Sequence, residues 1–127
     1  MTAYESLKAV EARLASIGVP VNAPDVKGVT RFITVQVSAG TASNRRLQGR
    51  LVDVTRQVDV RAVATTADEV IWLVEKIRER LNDWHTGDGL LDDVSYNGQP
   101  IQDVSVRPLL FEQVTTWEWR RKGKQID

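Results

Sequence analysis

Five residues between positions 83 and 93 carry the widest chemical range in this sequence. Asp83, His85, Asp88, Asp92 and Asp93 crowd four carboxylates and the chain's single imidazole into one short stretch. Oxygen and nitrogen donors at that density could hold a divalent cation. The spacing matches no calcium loop, which needs alternating oxygen ligands over about twelve residues and a closing glutamate. A helix C-terminus running into an acidic, solvated turn accounts for the same residues, with His85 near the negative end of the helix dipole. We therefore expect no metal. Catalysis is no better served. There is no cysteine, and no serine stands in a nucleophile elbow. Gly28, Gly40 and Gly49 are too far apart for a phosphate-binding loop. The expectation is a non-enzymatic protein without cofactors.

Two basic groups could contact a partner. Arg45, Arg46 and Arg50 fit contacts with phosphates or with an acidic protein surface, and equally a solvated loop. Arg120, Arg121, Lys122 and Lys124 form a run of the kind that keeps a chain end wet. Trp117 and Trp119 are two apart, so on a strand they share a face, either in the core or at a subunit interface. Trp72 falls beside the helical stripe of Leu73, Val74 and Ile77, where it either borders the core or meets a neighbour.

These side chains need elements to position them. Leu7, Val10, Leu14 and Ile17 recur at helical spacing and predict a first helix over 4–17, with Thr2 and Glu5 as a capping box. Gly18 and Pro20 end it, and a loop covers 21–28. Residues 31–38 alternate as a strand, with Ile33, Val35 and Val37 inward. Residues 39–50 lack periodicity and read as a long flexible loop. Residues 51–62 read as a second strand. Its apolar face is broken only by Arg56, and Asp53, Thr55, Gln57, Asp59 and Arg61 lie on the wet or interface side. A second helix spans 66–84, capped by Thr66 and Glu69. Residues 87–98 read as turns, with Asn97-Gly98 as a hairpin signal. Strands follow over 100–107 and 109–121, and 122–127 reads as a frayed tail. The order α-β-β-α-β-β predicts an α+β fold, an antiparallel sheet of about four strands with both helices on one face.

The whole chain has the size of one domain, 127 residues. Its 17 basic and 17 acidic residues balance, which disfavours a protein that grips DNA through phosphate neutralisation and removes a charge barrier to self-association. No apolar run approaches the length of a membrane span, and the N-terminus lacks the apolar core of a signal peptide. The expectation is a protein made and kept inside the cell, with no membrane contact.

The stretch 51–84, LVDVTRQVDVRAVATTADEVIWLVEKIRERLNDW, resembles the middle of bacteriophage tail terminator (tail completion) proteins. Those show an alternating strand, a short Thr- or Ser-rich turn, and a capped amphipathic helix ending in a pattern such as Arg78 to Leu81 here. The stretch 102–120, QDVSVRPLLFEQVTTWEWR, resembles the closing strand pair of the same family. The likeness runs from the first helix to Arg121.

The resemblance implies a structural virion protein, assembled in the host cytoplasm and located at the head-proximal end of the tail. Six copies would form a homohexameric ring that caps the tail tube, stops its polymerisation and offers a joining surface to the head–tail connector protein. Phage DNA would pass through the ring without sequence-specific binding. The implied partners are a second copy, the major tail tube protein and the connector. Within that picture the candidate tube or lumen contacts are Arg45, Arg46 and Arg50. The candidate subunit interface is Asp53, Gln57, Asp59, Arg61 and Trp72. Alternatives are another head–tail adaptor or head-completion protein, a small cytosolic ligand-binding domain, or a nucleic-acid binder.

Overall fold

The computed structural model describes residues 2–23, 30–38, 41–42, 54–87, 89–95, 98–104 and 109–120. Two helices and eight strands occur among them. Helix α1 is Ala3–Ala15 and α2 is Ala67–Leu81. The strands are β1 (Phe32–Val37), β2 (Thr41–Ala42), β3 (Val54–Thr55), β4 (Gln57–Ala64), β5 (His85–Thr86), β6 (Gly89–Asp93), β7 (Ile101–Asp103) and β8 (Leu110–Arg120). The α+β class, the antiparallel sheet and the helices on one face all hold. The strand count and order do not: the sheet has six strands, β1-β4-β8-β6-β5 with β7 on β8, and β2-β3 form a separate pair.

Three causes account for the difference. First, residues 87–98 do not form turns alone. His85–Thr86 and Gly89–Asp93 form a short hairpin, because Leu91 buries against the core while its acidic and glycine neighbours disguise the strand. Second, the strand expected over 51–62 is split at Arg56, and its described part runs from Val54 to Ala64. Next to the split, the Ser38 amide donates to the Gln57 carbonyl at 2.9 Å and the Ser38 hydroxyl accepts from the Gln57 amide at 3.0 Å. Third, the strand expected over 100–107 is seen at Ile101–Asp103; residues 105–108 lie outside the described residues, as does Asn97 of the expected hairpin. The loop expected over 39–50 contains β2, and its other residues, except for this pair, also lie outside.

The helices begin as their caps dictate. Thr2 and Glu5 form the full capping box of α1. At α2 the Thr66 hydroxyl accepts from the Glu69 amide, while the Glu69 carboxylate lies 3.8 Å from Arg31. Val70, Leu73, Val74, Ile77 and Leu81 make the buried stripe of α2, and Ser6, Val10 and Leu14 that of α1. Both stripes enter one core with Ile33 and Val35 of β1, Val58, Val60, Ala62 and Ala64 of β4, Leu91, Trp117 and Trp119. The helices are latched at their C-terminal ends by two arginines. Arg13 donates to the Arg80 carbonyl at 2.8 Å and stacks over Trp84, and Arg80 donates to Ser16 Oγ at 2.8 Å. Arg56, the one charged residue on the core side of its strand, reaches the buried Ser6 hydroxyl at 3.1 Å.

Strand β8 positions the sheet. On one side it pairs with β4, from Gln57↔Glu118 to Ala64↔Phe111. On the other side β7 covers its start and β6 its end. Trp117 is fully buried; its indole donates to Thr115 Oγ1 at 2.9 Å, and Thr115 donates on to the Val60 carbonyl at 3.3 Å. The two tryptophans are thus core residues. Two substitutions grade these contributions. Ile77→Ala should lower unfolding free energy by about 2–5 kcal/mol, and Thr66→Ala by about 1 kcal/mol. Urea unfolding followed by tryptophan fluorescence measures both, and an Ile77→Ala cost below that of Thr66→Ala would contradict this core.

Candidate functional site

The sheet has two faces and the helices cover one. Strand alternation assigns the other face by register. Across it run Gln36, Asp59 and Thr116; then Thr34, Arg61 and Val114; then Phe32, Val63, Glu112 and Ile101. Gln57, Glu118 and Asp92 continue the surface toward β6. This open face carries three of the five residues expected at an interface. Gln57 and Asp59 are exposed and Arg61 is half-buried. Asp53 lies outside the described residues, as do Arg45, Arg46 and Arg50.

The polar residues of the face are tied within the chain. Arg61 pairs with Glu112 across β4 and β8, its Nε lying 2.6 Å from Glu112 Oε2. Asp59 accepts from the Thr116 hydroxyl at 3.1 Å. These contacts join β4 to β8 across the open face. Beside them stand apolar groups with no cover from the helices: Val114 is 38 % exposed and Ile101 is 55 % exposed. Val114 sits directly opposite Arg61 and Ile101 opposite Glu112. Sequence reasoning found the β4 residues from their alternation. It did not find Val114 and Ile101, because an apolar residue on a strand reads as core until the register shows which face it takes.

A second apolar spot lies on the helix side. Trp72 is 43 % exposed and Ile71 45 % exposed, and the Lys76 ammonium lies 5.5 Å from the Trp72 ring centre. Trp72 thus lies part-exposed beside the buried stripe of α2. The open sheet face and the outer surface of α2 are opposite sides of a two-layer molecule.

The acidic stretch does not converge. Asp92 and Asp93 are neighbours on β6 and point to opposite faces. Asp83, at φ +58°, closes α2 outside the strand, and Asp88 lies outside the described residues. Among the described residues no three of His, Asp and Glu come together as a cation site. Asp93 is instead a structural clasp. Arg78 of α2 donates to it at 3.0 Å, and the Ser95 amide donates at 2.9 Å. Burial alone would raise the Asp93 carboxyl, but the Ser95 hydroxyl and amide, with Arg78, outweigh it and hold the pKa below the ordinary value. Among the described residues no helix is long and apolar enough to cross a membrane.

A group whose folded pKa is depressed adds stability above its unfolded pKa and loses it as pH falls through the folded one. Asp93→Asn keeps the Oδ1 acceptor for Ser95 and replaces the charged oxygen that accepts from Arg78 by a neutral amide nitrogen. It should cost up to about 1 kcal/mol at pH 7 and nothing once pH has fallen below the native Asp93 pKa. Urea midpoints from pH 7 to pH 2 test this, and an equal loss at both ends would show that the charge is not what Arg78 stabilises.

Compared with protein-family models, the sequence matches none, and a comparison with curated proteins gives no match.

Proposed function

We propose that this protein is a structural assembly protein of a bacteriophage tail, acting as a tail terminator rather than as an enzyme. The observation that carries the reading is the open sheet face, where polar pairs border uncovered Val114 and Ile101. It is joined to the sequence resemblance of 51–84 and 102–120. A capping protein works through complementary surfaces, and surfaces are what this chain offers.

The mechanism follows from symmetry. A head-to-tail ring uses two different patches on each subunit and closes by rotation. Two different patches with exposed apolar groups occur here on opposite sides, Val114 with Ile101 on the sheet and Trp72 with Ile71 on α2. In the proposed homohexamer the sheet face, with Gln57, Asp59 and Arg61, meets the neighbouring subunit. One ring face copies a tube subunit closely enough to bind the last ring of the major tail tube protein. The other presents no further tube site and receives the head–tail connector protein. Arg45, Arg46 and Arg50 are assigned to the tube or lumen contact, where DNA passes without sequence reading. The protein then resides in the virion after assembly in the host cytoplasm.

Light scattering after size-exclusion chromatography, across a concentration series, tests the reading. A six-fold species, or a climb toward one, is expected. Val114→Glu sets a carboxylate opposite Arg61, so the fold keeps its balance while the apolar patch becomes charged. It should weaken association about tenfold or more, about 1.4 kcal/mol, with the unfolding midpoint held. A stable dimer would overturn the ring, because a two-fold contact uses one patch twice. A strict monomer that also fails to bind tube protein would favour the adaptor reading. Unchanged tail joining by Arg45→Ala with Arg46→Ala would remove the loop from the contact.

A further inference from the structure

We draw no further inference here: the strongest candidate, the outer edge of strand β1, is filled from within the chain at Ile33 by the main chain of Pro20 and Asn22 and at Val35 by the Asn22 carboxamide, and nothing in the structure shows what else would cover it.

Discussion

Strand β8 must be paired on both sides along its eleven residues, and the rest of the molecule is arranged to meet that demand. A central strand carries outward amides and carbonyls on each edge, and burying them unpaired costs more than any single contact returns. Strand β4 answers one edge from Phe111 to Glu118, and the Trp119 amide donates to the Arg56 carbonyl beyond it. The other is answered in two pieces, β7 then β6, and the Ser95 hydroxyl accepts the Thr116 amide near their junction while the Val94 amide donates to the Thr116 carbonyl. Helix α2 lies between β4 and the β5–β6 hairpin in sequence, so it must cross the sheet on its covered face. Its Arg78 meets Asp93 there, which ties the crossing helix to the strand it delivers.

How much of this was legible depended on whether a residue's environment is set locally. Capping at Thr2 and Thr66, the stripe of α2, and the inward faces of β1 and β4 all follow from neighbours within a turn or a pleat, and they are where the sequence puts them. The β5–β6 hairpin was hidden because its strand character comes from pairing with β8, some thirty residues later along the chain. The split at Arg56 was visible only as a charged residue among valines; that it meets Ser6 on α1 is a long-range fact. The open face was half legible. Asp59 and Arg61 announced it by polarity, while Val114 and Ile101 did not, since face assignment on β7 and β8 waits on register. Asn22 was not legible at all: an asparagine in a loop gives no sign of which backbone it will imitate.

A two-layer fold with one bare sheet face has a standing exposure problem. The surface of a domain this size is always partly apolar, so Val114 alone would mean little. Its setting matters more. Arg61 is already paired with Glu112, and Asp59 accepts from the Thr116 hydroxyl. At Arg61 and Glu112 a docking partner would meet an ion pair and not a lone charge.

Edge and face also bear on one another. A sheet that can grow sideways through its edge makes open-ended assemblies, because each added strand presents a new edge. Closed assemblies need contacts whose geometry returns to the start. Ile33 and Val35 are answered from within by Pro20 and Asn22, which opposes strand addition at those two positions of the edge. In the proposed ring, contacts through the sheet face and the outer side of α2 would set the assembly. For a chain whose proposed task is to end a polymer, a self-blocked edge is a physical requirement: a terminator that could itself extend would not terminate.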